Sequence, residues 1–285
     1  MIKELREYHE LLFALTYRDI RVKYKQAVMG IAWAFFLPVL AIASGIVFRV
    51  VMSIFSGKPL ELASIVGVMV KSVPWILFAA IVGGASNSLI ANIGLITKIY
   101  FPRHIVPLSG VLSALFDFLI SVAGLILVIT LMVVLIPIAN PQPTGEAASF
   151  VQTTNPTGVT LSWSLLLVPV VIGLLVIMAT GLGMFLGAAN LFFRDVKYIV
   201  GVILQFGLFF SLVYFTYEEL GQYGWVLLLN PVAPLLESLR CLVVNGAMDP
   251  FLWPWVGYST IVALLALLLG SIFFEKAEHL FAEYA

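Results

Sequence analysis

Residues Arg18 to Pro38 read RDIRVKYKQAVMGIAWAFFLP, and this stretch decides the fold of the chain. Its first half is strongly basic, whereas its second half has no charge and continues apolar to Val47. Because Lys and Arg accumulate on the cytoplasmic side of membrane helices, the stretch predicts the cytoplasmic foot of a first transmembrane span. Asp19 lies among the bases, so the segment is also expected to form ion pairs. The basic residues are Arg18, Arg21, Lys23 and Lys25.

The composition identifies an integral membrane protein. Of 285 residues, 62% are hydrophobic and 11% charged, whereas a soluble domain carries about a quarter charged residues. The apolar runs are long enough for helices, so a helical protein is predicted rather than a β-barrel. The net charge of zero gives no case for a nucleic-acid partner. The single cysteine, Cys241, excludes an internal disulfide and a cysteine-built metal site.

The hydropathy pattern predicts an all-α chain of six spans, forming one transmembrane domain over residues 1–285 with both termini in the cytoplasm. An amphipathic helix over residues 1–17 is expected to lie in the cytoplasmic interface. The external region 218–253 contains an apolar stretch over 231–244, which is too short to span and typical of a re-entrant helix. Residues 137–163 form a polar external loop. The spans are expected at about 29–54, 62–90, 105–136, 165–190, 199–217 and 253–274.

Charged residues within the apolar runs have plain structural interpretations. Arg49 and Lys71 lie near the expected outer surface, where snorkelling is favoured over ligand binding. Asp117 lies near the middle of the third span, and an interhelical hydrogen bond is favoured over a proton relay. Glu237 and Arg240 stand three residues apart on the short apolar stretch, which predicts a local ion pair.

The fourth and fifth spans carry two further patterns. Three glycines of the fourth span predict close helix packing. An aromatic stripe occupies one face of the fifth span, for which the spacing alone favours contact with lipid or core packing. The glycines are Gly181, Gly183 and Gly187, and the aromatic residues are Phe206, Phe209, Phe210, Tyr214 and Tyr217.

The sequence lacks three common motifs of phosphate binding, metal catalysis and covalent catalysis. It contains no G-x-x-x-x-G-K-[ST] phosphate loop, no H-E-x-x-H and no G-x-S-x-G. The histidines at 9, 104 and 279 are far apart, so a metal site is not expected. Transport is therefore the natural class. The chain has no energy source of its own, but its cytoplasmic segments are suited to receive a partner.

Four stretches resemble the permease subunit of bacterial ABC-2 type transporters, in the branch that exports polysaccharides and polyol phosphates. The resemblance implies a homodimer with two ATP-binding subunits on its cytoplasmic side. No cofactor would bind this chain, and ATP and Mg²⁺ would bind the partner subunits. The stretches are 18–38, SLIANIGLITKIYFPRHIVPLSGVL at 88–112, LGAANLFFRDVKYIVGVILQ at 186–205, and LNPVAPLLESLR at 229–240.

The same resemblance assigns roles to residues. Segment 92–104 would be the coupling helix that fits the ATPase, and residues 191–198 would lie beside it. Spans one and five would line the channel at the dimer interface, which makes the aromatic stripe of span five a candidate path for a glycan. Many relatives have a proline near the outer end of span five, and FSLVYF here has none. The implied residues are Trp33, Phe36, Phe206, Phe209, Phe210 and Tyr214 for the path; Ile96, Lys98, Tyr100, Arg103, Arg194 and Asp195 for coupling; and Glu237 and Arg240 for the external gate.

The expected function is export of a lipid-linked glycan across the bacterial inner membrane, with O-antigen, capsule and teichoic acid as the candidate polymers. The four basic residues at 18–25 would meet either the pyrophosphate head of the substrate or anionic membrane lipids, and both interpretations stay open. Two rival functions stay open as well. One is export of a small lipophilic substrate, and the other is a membrane enzyme for which Asp195 or Glu237 would supply the acid or base.

Overall fold

A computed structural model of the chain describes residues 7–25, 32–57, 61–96, 101–139, 162–193 and 195–278. All regular secondary structure within these ranges is helical. The α-helices are α1 (His9–Lys25), α2 (Ala32–Ser56), α3 (Leu62–Ala91), α4 (Ile93–Ile96), α5 (Ile105–Ala139), α6 (Val168–Phe192), α7 (Val196–Phe210), α8 (Gly224–Leu228), α9 (Val232–Arg240) and α10 (Leu252–Glu278).

Within the described ranges, five helical stretches are long and apolar enough to cross a membrane, which makes the chain a multi-pass membrane protein. They correspond to predicted spans one to four and six. The predicted fifth span is a helix of only 15 residues, about 22 Å long at 1.5 Å per residue. The expectation that it runs to Tyr217 is wrong, because α7 ends at Phe210. The count of six crossings stays a prediction. The five stretches are Pro38–Phe55, Leu62–Ala91, Ile105–Met132, Trp163–Phe192 and Leu252–Ala277.

Helix α3 lies at the centre of the bundle and packs against α5 and α6, while α10 packs on the far side of α6. The predicted close packing of glycines on α6 is confirmed. A Cβ on Gly181 would lie 2.3 Å from the backbone of Ala266 on α10, and one on Gly183 would lie 2.6 Å from the Cβ of Ala85. These backbones can approach only because the side chains are hydrogen atoms.

Helix α1 is longer than the amphipathic segment expected at 1–17, because it continues to Lys25. The basic residues expected at the foot of the first span therefore lie on α1. This helix packs against α5, and Leu15 is buried with Phe101, Ile105 and Val106. The loop expected at 137–163 falls mostly outside the described residues.

The segment after α7 folds back as short helices. A 3₁₀ helix at Glu218–Tyr223 leads into α8, and α9 continues as a turn of π-helix at Cys241–Asn245. All nine residues of α9 are buried, and α9 packs against α3, α6 and α10. A short helix at this place was predicted, and its depth in the membrane stays a prediction. We name this end of the bundle the α9 end and the opposite end the α1 end.

Candidate functional site

Three charged side chains form a buried network at the α9 end. The Lys71 ammonium of α3 lies 3.0 Å from Glu237 Oε2 on α9, and Arg240 Nε donates to Glu237 Oε1 at 2.6 Å. Lys71 and Glu237 have no solvent exposure, and Arg240 has 8%. The predicted pair between Glu237 and Arg240 is confirmed. The snorkelling expected for Lys71 is wrong, because its ammonium points into the protein and also donates to the carbonyl of Phe215.

A second ion pair joins α2 to the segment after α7. The guanidinium of Arg49 binds Glu219 Oε1, and Glu219 Oε2 accepts a hydrogen bond from the Thr216 amide at 3.1 Å. Arg49 is buried and Glu219 is partly exposed. Snorkelling of Arg49 into solvent is therefore also wrong. The two networks hold α2, α3, α9 and the chain between α7 and α9 together.

Farther along this segment, Tyr217 donates a hydrogen bond to Asp249 and stacks on Phe251, with ring centroids 5.5 Å apart. Burial raises the pKa of the Tyr217 phenol, and the bond to Asp249 raises it further. The same bond, with that from the Phe251 amide, holds the pKa of the Asp249 carboxyl below its usual value. This contact fixes the 3₁₀ helix to the turn before α10.

The predicted aromatic stripe divides into two environments. Phe206, Phe209 and Phe210 are 55%, 42% and 62% exposed on α7, and Phe206 and Phe210 also border an open apolar groove of about 670 Å³ between α7, α3 and α6. Tyr214 does not continue this face. It lies beyond the end of α7 and is buried, with its hydroxyl 2.7 Å from Ser44 Oγ on α2.

The remaining two residues assigned to the path lie on α2. Trp33 and Phe36 are both exposed, and their rings meet edge to face at 5.5 Å. Trp33 also lines a small pocket of about 90 Å³ whose wall includes Lys23 and Asp117. The structure thus places one predicted path residue beside one predicted head-group residue.

The basic residues of α1 differ in the contacts that they make with other side chains. Lys23 and Tyr24 both bind the Asp117 carboxylate on α5, which confirms the interhelical hydrogen bond predicted for Asp117. Burial, followed by the hydrogen bond and charge of Asp117, raises the pKa of the Tyr24 phenol.

Arg18 donates to Asp19 Oδ1 at 2.7 Å and to Asn92 Oδ1 at 2.7 Å. The contact with Arg18 confirms the ion pair expected for Asp19, and Asp19 Oδ2 also accepts a hydrogen bond from Ser109 at 3.0 Å. Arg21 and Lys25 are exposed, as Lys23 is, and the Arg21 guanidinium lies 5.7 Å from the centre of the Tyr17 ring.

The predicted coupling residues are described only in part. Lys98, Tyr100 and Arg194 lie outside the described residues, and so does the side chain of Ile96, the last residue of α4. Arg103 is half-buried just before α5, and Asp195 is exposed just before α7. Within the described ranges, no three His, Cys, Asp or Glu side chains lie close enough to hold a metal ion.

The role of Lys71 as a buried partner of α9 was not predicted from the sequence. A signal was present, because Lys71 and Glu237 are opposite charges within otherwise apolar runs. A buried charge in such a run needs a counter-charge. Glu237 is also unsuited as a catalytic acid, since its two oxygens already bind two cations.

The fold and these networks define a helical membrane protein with charges buried for structure. The sequence model described as "ABC-2 type transporter" matches residues 10–243. The chain therefore belongs to the ABC-2 type transporter family and is a transporter permease, and the family implies an ATP-binding partner subunit.

The chain is similar to two proteins that are each named "O-antigen export system permease protein RfbA". The one from Klebsiella pneumoniae is 27% identical over 276 residues, which cover 96% of this chain and 94% of that protein. The one from Myxococcus xanthus is 26% identical over 286 residues, which cover 99% of this chain and 98% of that protein.

Proposed function

We propose that the chain is the transmembrane subunit of an ABC exporter of lipid-linked O-antigen. It would work as a homodimer with two ATP-binding subunits in the bacterial inner membrane, with both termini in the cytoplasm. ATP and Mg²⁺ would bind the partner subunits. The observation that carries the proposal is similarity over nearly the whole chain to proteins named for O-antigen export.

The exposed aromatic face of α7 supports a glycan substrate. Phe206, Phe209 and Phe210 offer flat apolar surface that sugar C–H faces can slide across, without fixed hydrogen bonds that would hold the polymer. We assign the path to these three rings and to Trp33 and Phe36 on α2. Tyr214 is reassigned from the path surface to the layer behind it, because it is buried against α2.

The ion pairs within α1 narrow the choice of basic residues that would bind an anionic head group. Arg18 and Lys23 already form ion pairs with Asp19 and Asp117, although both cationic side chains stay partly exposed. Arg21 and Lys25 are exposed and are the residues that we assign to an anionic head group. The pyrophosphate of a lipid-linked glycan and an anionic membrane lipid share this chemistry.

Coupling to the ATPase is assigned to the segment 92–104. The α4 helix and the turn containing Arg103 lie at the α1 end, at the junction of α3 and α5. Pressure on this junction would reach both helices, because they pack against each other. The exposed carboxylate of Asp195 and the neighbouring Arg194 complete the proposed docking surface, with Ile96, Lys98 and Tyr100. At the α9 end, Glu237 and Arg240 are assigned to the external gate.

The first test is complementation and capture. The wild-type chain, co-expressed with its ATP-binding partner in a strain lacking its own exporter, is expected to restore O-antigen at the cell surface. Reversal of charge at Lys98 and Arg103 is expected to abolish capture of the partner, whereas reversal at the exposed Lys276 of α10 is not. A wild-type chain that captures no ATPase would refute the proposal.

The second test concerns the aromatic face. Alanine at Phe209 and Phe210 is expected to reduce the rate of export at least tenfold. A tenfold reduction corresponds to an increase of about 1.4 kcal/mol in the activation free energy of transport. Leu264 and Leu268 are apolar residues of α10 with similar exposure, and alanine there is the matched control. Equal export from all these variants would show that the rings of α7 only face lipid.

A further inference from the structure

The chain between α7 and the following 3₁₀ helix breaks its helical hydrogen bonding in an unusual way. Leu212 has a φ of +56°, in the left-handed region that a leucine rarely adopts. Residues 211–217 form turns rather than helix, yet the run from Ser211 to Tyr214 is buried. Irregular backbone inside a membrane protein is tolerated only where other groups satisfy its N–H and C=O groups.

Side chains from several elements supply those partners. Asn230 Nδ2 donates to the Phe210 carbonyl at 3.1 Å and to Ser211 Oγ at 2.9 Å, while Glu219 accepts from the Thr216 amide. Both of these residues belong to the chain that follows the break. The partner from the central helix α3 is Lys71, which donates to the Phe215 carbonyl.

The cost of burying Lys71 indicates that its position has a purpose. A fully buried ammonium loses its hydration, and one ion pair seldom repays that cost relative to an apolar residue of similar size. The Phe215 carbonyl that Lys71 binds belongs to the turns that follow α7, five residues after the helix ends at Phe210. Lys71 is the side chain that joins α3, the break after α7 and Glu237 of α9.

The break determines where the aromatic rings lie. Phe209 is exposed on α7, while Tyr214 turns inward and meets it edge to face at 5.4 Å. Phe48 of α2 stacks on Tyr214 at 5.6 Å. If α7 continued as a helix, Tyr214 would join the exposed face instead. The turn held by Lys71 therefore separates the exposed rings from the rings that support them.

We infer that Lys71 is a positioning residue for the proposed glycan path, which it serves by fixing the break after α7 so that Tyr214 lies behind the exposed ring of Phe209. This inference rests on the proposed function, because it assigns Lys71 a role in the same path. Lys71 itself touches no glycan.

The structural test uses thiol accessibility in the full chain within its complex. In a parent chain with Cys241→Ala, a cysteine is placed at Ser211, which is 1% exposed in the break, or at Ser259, which is 0% exposed on α10. Lys71→Met is expected to raise maleimide labelling at position 211 about tenfold, as loss of the hydrogen bond to the Phe215 carbonyl would, while Glu237 keeps its contact with Arg240. Labelling at position 259 is expected to stay unchanged, and Lys71→Arg is expected to restore protection at position 211.

Two other outcomes would overturn the inference. Unchanged labelling at position 211 would show that the break does not depend on Lys71. Increased labelling at both positions would show that Lys71 supports the whole fold rather than the break.

The functional arm measures export with the Lys71 variants in the chain that retains Cys241. Lys71→Met is expected to capture the ATP-binding partner as the wild type does but to lose most O-antigen export, and Lys71→Arg is expected to recover it. Wild-type export by Lys71→Met would refute the positioning role. If the wild-type chain itself exports no O-antigen, the proposed function fails, while the labelling result still decides whether Lys71 fixes the break.

Discussion

Removal of Glu237 should be among the most damaging single changes at the α9 end. Its carboxylate binds Lys71 at 3.0 Å and Arg240 at 2.6 Å, and Glu237→Ala leaves both cations buried without a counter-charge. Breaking a buried ion pair in this way costs about 3–5 kcal/mol. At roughly 2–4 °C per kcal/mol for a domain of this size, the melting temperature should fall by about 10 °C.

The chain contains its own reporter for this measurement. Cys241 is the only cysteine in the sequence and is buried one residue after Arg240. A thiol-reactive fluorophore should therefore stay dark on the folded chain and brighten as the α9 end opens. Glu218→Ala is the matched control, because Glu218 is an exposed acid in the same region, and its melting temperature should be unchanged.

A compensated variant separates charge from packing. Lys71→Met, Glu237→Leu and Arg240→Met together remove all three charges and leave apolar side chains in their places. Apolar replacement of a whole buried network is often neutral, so this variant should melt within about 5 °C of wild type. If it melts as low as Glu237→Ala, or if Glu237→Ala melts like wild type, the reasoning from uncompensated buried charge is refuted.

Three further changes have defined outcomes. Gly181→Val should prevent α6 from reaching α10 and lower detergent-extracted folded yield severalfold, whereas Gly173→Ala on the same helix meets open space and should be neutral by size-exclusion chromatography. Asp117→Asn should weaken the hold of α5 on α1, and limited proteolysis should then cut α1 about tenfold faster, as loss of one charge-assisted bond implies; unchanged cleavage would contradict that contact. Tyr217→Phe should raise the pKa of Asp249. A carboxyl whose pKa is lower in the folded than in the unfolded state stabilises the fold above the unfolded pKa, and this stabilisation is lost as the pH falls through the folded pKa. Tyr217→Phe should therefore reduce the pH dependence of the melting temperature below about pH 4. Parallel pH profiles for the two proteins would refute this.

Local patterns predicted the fold well. Long apolar runs gave the five long helices because a bilayer fixes their length. The pair between Glu237 and Arg240 was predictable because residues three apart share a helix face. The glycines of α6 predicted close approach for the same local reason. Asp117 was correctly expected to bond between helices, although its partners on α1 could not be named.

The features that the sequence did not reveal depend on distant contacts. Lys71 pairs with a residue 166 positions away, and no local pattern distinguishes that pair from snorkelling. The end of α7 was missed because FSLVYF contains neither proline nor glycine. The backbone at and after the end of α7 is hydrogen-bonded by Lys71 and Asn230, and these contacts exist only once the chain has folded. Tyr214 was consequently placed on the wrong surface.

The shortness of α7 has a consequence for the surrounding lipid. A helix of about 22 Å cannot match a hydrocarbon layer of about 30 Å. If α7 crosses the bilayer, as predicted for the fifth span, the remaining thickness must be covered by the short helices that follow it or taken up by local thinning of the bilayer. A bilayer of longer acyl chains should therefore destabilise the conformation in which α7 lies across the membrane. The rate of transport should then depend on acyl-chain length, with an optimum in thin membranes.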